Sequence, residues 1–141
     1  MKDRGFQLFE IAVAISLLRS LAGWSALGTR RFLAEHRLHA AGLSIVSAAA
    51  AARSMAITRN TDIQLATRSP SREFGLTPRH SEPSSWKSLP PGVRFASVPT
   101  RSVTFHSRGT AAPAGTFRIT NEAGTLGIVI AVSGRVRWSR E

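Results

Sequence analysis

The 141-residue chain contains no cysteine, which excludes disulfides, cysteine-based metal sites and thiol nucleophiles. A domain without that bracing relies on its apolar core, on contacts with neighbours, or on both. Acidic residues are scarce, eight against nineteen Lys and Arg, for a formal net charge of +11 at pH 7. The basic residues are almost all arginine, with Lys2 and Lys87 the lysines. Such an excess has two readings, an Ala- and Arg-rich composition from a biased genome or attraction to a polyanion or anionic surface. Proline is absent before Pro70, so no proline breaks a helix in the first half. No internal repeat, paired-carboxylate spacing or Gly-x-Ser-x-Gly elbow occurs. Beyond the helix, Asp62, Glu73, Glu82, Glu122 and Glu141 are scattered, and His80 and His106 have no neighbour at ligand spacing. His36 and His39 stand three apart, which a helix face against a domain explains more simply than a metal does. No catalysis, no cofactor and no metal are expected. An apolar content of 43% is that of a globular protein, and the length allows one domain after an N-terminal helix.

The informative stretch is the beginning. A charged leader, Lys2-Asp3-Arg4, ends at Gly5; Phe6 follows, and Glu10 stands at the mouth of the apolar run Ile11 to Leu18. An acidic side chain near a bilayer centre costs roughly 2.5–3.5 kcal/mol on insertion scales, so a partner cation is needed to offset it. An ordinary single-span anchor with an acid near its end is the plain reading.

Gly5-Phe6-Gln7-Leu8-Phe9-Glu10 resembles the type IV prepilin signature, where Gly-Phe-Thr-Leu-Ile-Glu is the commoner form. The departures, Gln7 and Phe9, leave Gly5, Phe6 and Glu10 in place. The resemblance implies cleavage by a prepilin peptidase after Gly5 and N-methylation of Phe6. It also implies that Glu10 pairs with the N-terminal ammonium of a neighbouring subunit in a filament. A buried carboxylate and a buried ammonium are tolerable together and costly apart.

Residues 1–5 therefore read as a leader, to be left out of fold reasoning. From Phe6 the chain is nearly continuously apolar through Leu21 and Ala22, interrupted by Arg19. The uncharged portion is thus shorter than the roughly 20 residues of a usual span. Arg19 has three outlets: snorkelling, pairing with an acid of a neighbour, or a subunit interface. A secretory signal peptide is the rival reading, but Leu21-Ala22-Gly23 approximates its cleavage site poorly. The helical pattern continues through Phe32, Leu33, Leu38, Leu43, Ile45, Val46, Met55 and Ile57, with Gly23, Gly28 and Gly42 as weak points of about 1 kcal/mol each. One long helix is expected from about Phe6 to Thr58. Residues 6–29 would be its membrane or filament-core half, and 30–60 the half covered by a globular head, residues 61–141.

At the junction, Ala52-Arg53-Ser54-Met55-Ala56-Ile57-Thr58-Arg59-Asn60 runs into the alternating Ile63 and Leu65. This segment resembles the helix end of the GspH/FimT group of minor pilins and pseudopilins; arginines also suit any helix C-terminus through its dipole. Residues 66–92, rich in Ser, Pro, Arg and Gly, read as a long surface loop with room for one edge strand. Strand patterns follow at 93–98 and 102–105, then a turn-rich connection at 107–115. Residues 116–120 and 127–132 read as a hairpin around 121–124, and 135–138 as a last short strand. The fold class expected is α+β, a long N-terminal helix packed against an antiparallel sheet.

Thirteen basic residues face five acids after Ala52. In Gly134-Arg135-Val136-Arg137-Trp138-Ser139-Arg140, period two puts Arg135 and Arg137 on one strand face, about 7 Å apart, matching successive phosphates of DNA. Trp138 would stack on an unpaired base or close the core. The Gly-Arg-x-Arg ending resembles that of DNA-binding competence pilins, and similar Gly-Arg-Val endings occur in secretion pseudopilins. Arg68, Arg72 and Arg79 would extend the patch if folding brings them to the same side, and Arg140 is a further candidate.

The resemblance thus implies a GspH/FimT-type minor pilin or pseudopilin, a structural subunit near the tip of a type II secretion or type IV pilus filament. Its partners would be the prepilin peptidase, other pilins or pseudopilins, the inner membrane before assembly and, in the alternative reading, DNA. It would sit in the inner membrane by a single pass, head in the periplasm, and pass into the filament on assembly.

Overall fold

The computed structural model describes residues 3–68 and 72–140, with backbone alone for 3–8 and 21–28. One helix, α1, runs unbroken from Asp3 to Arg59. The chain divides into two units, Met1–Leu33 and Ala34–Glu141.

In the first unit, the described side chains from Phe9 to Ser20 are all exposed, among them Phe9, Ile11, Ile15, Leu17 and Leu18. The hydroxyls of Ser16 and Ser20 donate to the carbonyls four residues back, Ala12 and Ser16, so neither leaves a polar group unpaired on this apolar surface.

In the second unit the helix contributes Leu38, Ala41, Ile45, Ala49, Ala52 and Ala56, all buried and spaced by three or four residues. That spacing keeps them on one stripe, and the alanines let the helix backbone approach the strands closely. The stretch Thr29–Arg59 is long and apolar enough to cross a membrane, with mean hydropathy 1.4, but a third of that window is buried inside the molecule. The helix ends in a Schellman motif: Thr61 N donates to Ala56 O (3.1 Å), Asn60 N donates to Ile57 O (3.4 Å), and Asn60 takes φ 48°.

Two antiparallel sheets cover the stripe. The first has order β3-β2-β1-β5-β6, from β1 (Ile63–Arg68), β2 (Glu73–Pro78), β3 (Lys87–Ser88), β5 (Val103–Phe105) and β6 (Ala111–Ala112). The second has order β4-β7-β8-β9, from β4 (Arg94–Ser97), β7 (Gly115–Asn121), β8 (Gly124–Ile130) and β9 (Val136–Arg140). Ile63, Leu65, Phe74, Val103 and Phe105 from the first sheet join Phe117, Ile119, Leu126, Ile128 and Ile130 from the second and the helix stripe in one apolar cluster. Each large side chain buried there contributes about 1.5–3 kcal/mol. Ala111 N donates to Val132 O (2.8 Å), tying the sheets together.

The α+β class stands, with two sheets where one was expected. The loop expected over 66–92 is corrected. Residues 73–78 form β2, paired along its whole length with β1, and β3 lies at the sheet edge. Phe74 is buried in the core and Leu76 packs against it. The two apolar residues are too few to announce a strand, yet they fill one face of it once β1 fixes the register. Gly75 is close-packed: a Cβ there would meet the Pro83 side chain and the Ser85 carbonyl at 2.8 Å, so only glycine lets that segment cross the strand.

Candidate functional site

Gly5 and Phe6 fall in the helix but outside the residues described in side-chain detail. Glu10 is exposed, in the same helical segment as Phe9, Ile11, Val13, Ile15, Leu17 and Leu18. A carboxylate among so many uncovered apolar side chains is the charge pattern that a packed neighbour with a cation would complete.

The C-terminal residues separate into two faces. Ala131, Gly134 and Arg135 form the turn before β9: Gly134 N donates to Ala131 O (2.8 Å) and Ala131 N to Arg135 O (2.9 Å). Gly134 takes φ 74°, and a Cβ on it would collide with the Gly109 carbonyl. Arg135 lies in this turn and Arg137 in β9, opposite Val129; both arginines are exposed. Val136 packs on the core, Trp138 meets His39 edge-on with ring centroids 5.6 Å apart, and Arg140 reaches Glu35 (2.5 Å). Strand alternation therefore presents Arg135 and Arg137 outward, and turns Trp138 and Arg140 toward α1. The outward pair stands without the stacking ring and third cation expected beside it.

Sequence reading missed Arg53 as a neighbour of this turn. Its guanidinium lies against Gly109 and Gly134, its Nε is buried with no hydrogen-bond partner, and with Arg135 it lines a groove of about 510 Å³ beside Val46 and Ile57. The signal was present in the Ala52–Asn60 segment, but nothing in the sequence places that segment beside residue 134.

The loop arginines do not gather there. Arg68 pairs with Glu73 (4.0 Å) and Glu82 (3.7 Å) and stacks over Trp86 at 4.3 Å. Arg79 pairs with Asp62 (3.6 Å) at the other end of the β1–β2 hairpin, and Arg72 is exposed in the turn between the strands. Asp62 also accepts from His106 Nδ1 at 2.9 Å. Among the described residues no group of three or more His, Asp or Glu is placed to hold a metal.

A long N-terminal helix whose second half is sealed by antiparallel sheets is the fold of the pilins and pseudopilins, structural subunits rather than enzymes. The sequence matches the family described as Type II transport protein GspH over residues 41–134, and the chain belongs to that family. Solved structures agree in fold. The minor pseudopilin EpsH of the Vibrio cholerae type 2 secretion system superposes with TM-score 0.59 at 12% identity, covering 74% of this chain and 97% of that one. The type IV minor pilin FimU of Pseudomonas aeruginosa superposes with TM-score 0.63 at 18% identity, covering 77% and 92%. No curated protein matches the sequence.

Proposed function

We propose that the protein is a minor pseudopilin of a type II secretion filament, acting in assembly at or near the tip. A prepilin peptidase cuts after Gly5, Phe6 is methylated, and residues 6–29 hold the protein in the inner membrane with the head, residues 61–141, in the periplasm. On assembly the exposed face from Phe9 to Leu18 packs among other subunits, and Glu10 meets the Phe6 ammonium of a neighbour. The observation that carries this reading is the division of α1: an uncovered apolar first segment containing Glu10, and an alanine-striped second segment sealed by sheets. Mass spectrometry of the protein recovered from membranes tests it. The expected chain begins at Phe6 and carries one added methyl group. A chain retaining Met1, or cut near Ala22, overturns it.

A second reading rests on the outward pair Arg135 and Arg137. In it the protein is a type IV pilus minor pilin that takes up DNA through Gly134-Arg135-Val136-Arg137. DNA binding measured across a salt series, for the unaltered protein and for Arg135→Ala/Arg137→Ala, separates the two. Loss of affinity together with a flatter salt slope favours the pilus reading; no binding by either protein at moderate salt leaves the secretion reading in place.

A further inference from the structure

The outward face of the first sheet carries polar residues that neither reading uses. Thr77, Gln64 and Thr104 stand opposite one another across β2, β1 and β5. Thr77 is satisfied, its hydroxyl facing the carbonyls of Pro78 (3.1 Å) and Ser81 (2.8 Å). Thr104 is different. It is 94% buried, lines a cavity of about 630 Å³, and its hydroxyl has no hydrogen-bond partner among the described residues. That hydroxyl is not sealed in: it opens onto the cavity and can donate to a group bound there.

The rest of the cavity says which kind. Its lining includes Gln64, Arg79, Arg101, Ser102 and His106, with no carboxylate among them. Arg101 is exposed and has no ion-pair partner among the described residues. Asp62 occupies the Nδ1 side of His106 (2.9 Å) and one edge of Arg79 (3.6 Å). It thereby fixes the imidazole and leaves Nε2 as the nitrogen available to a ligand. Arginine, amide and hydroxyl donors around one basin exceed what the two oxygens of a carboxylate accept, and suit the several oxygens of a tetrahedral anion. Two arginines offset by one aspartate supply charge for a single such group rather than for a chain of them.

We propose that this basin binds one phosphate-type oxyanion, held by Arg101 and the Thr104 hydroxyl, with His106, Gln64 and Arg79 beside them. His106 contacts Asp62 and shares the cavity with Arg79 and Arg101.

The test uses sulfate, with the full-length chain in detergent micelles and isothermal titration calorimetry. Saturable binding is expected. Loss of one charge-assisted bond corresponds to roughly tenfold, so Arg101→Ala should weaken binding about that much. Thr104→Val should weaken it less, and Arg94→Ala, on the other sheet, not at all. Absence of saturable binding overturns the proposal. So does binding unaffected by Arg101→Ala. Phosphate chemistry has two sources, and competition distinguishes them. Glycerol phosphate is expected to displace sulfate, whereas displacement only by a single-stranded oligonucleotide without terminal phosphates would overturn assignment to an isolated anion.

Discussion

Single residues fix several joints of this fold through backbone geometry. Gly134 and Gly92 both have positive φ, 74° and 86°, but a Cβ on Gly92 would enter open space and one on Gly134 would strike the Gly109 carbonyl. Gly92→Ala should therefore cost about 1–2 kcal/mol, the left-handed penalty alone, and Gly134→Ala clearly more. Thermal unfolding of the two variants checks the order; equal losses would mean that the 109–134 contact relaxes freely. Asn121 is a second joint. Its Oδ1 accepts from Ala123 N (2.9 Å) and its Nδ2 donates to Ala34 O (2.6 Å), closing the β7–β8 turn and fastening it to the helix. Asn121→Ala should lose about 1–3 kcal/mol, because a helix carbonyl loses its partner. Neither joint is legible beforehand: Asn121-Glu122-Ala123-Gly124 reads as a turn, but its reach to Ala34 spans 87 residues.

Among the elements, α1 and β9 show what periodicity can and cannot say. The alanines at 41, 49, 52 and 56 are fully buried, which sets a close helix-to-sheet distance. Ala49→Leu should overpack that contact and cost about 1–3 kcal/mol, while Leu43→Ala, at an exposed position, should cost little. Chemical denaturation of both variants measures the contrast. The stripe was legible because a period of 3.6 is written into one contiguous segment. In β9 the alternation was legible too, and it put Arg135 and Arg137 together on one side. The destination of the other side was not. Trp138 and Arg140 turn toward α1 because Gly42 leaves room for the indole and Glu35 offers a carboxylate. Trp138→Ala should thus lower stability by about 1–3 kcal/mol, whereas Arg135→Ala/Arg137→Ala should leave melting unchanged within about 0.5 kcal/mol. The second result would also license the double variant as a clean probe of DNA binding.

For the whole molecule, the apolar cluster draws all its residues from Leu38 to Ile130, entirely within the second unit. A chain beginning at Ala34 should therefore unfold in one cooperative transition with near-native far-UV circular dichroism; a broad, non-cooperative melt would show that residues before Ala34 are needed for the head. The net charge of +11 belongs to this scale as well. Of the nineteen basic residues, Arg68, Arg79 and Arg140 pair with Glu73, Glu82, Asp62 and Glu35, while Arg135 and Arg137 stand outward at β9 and Arg101 at its own basin. A count of arginines foresees the excess and not the partition.

The sequence alone determined the long helix, the α+β class and the family, because each rests on contiguous signals: an apolar run with one acid, a helix-end motif, alternating strands. Tertiary structure decided the rest. Residues 73–78 became a strand because β1 offered them a register and the core took Phe74. Arg53 came beside Gly134 because the sheets pack on α1, and Asp62 beside His106 because β1 pairs with β5. Local patterns fix which way a side chain points; only the closed fold fixes what it meets there.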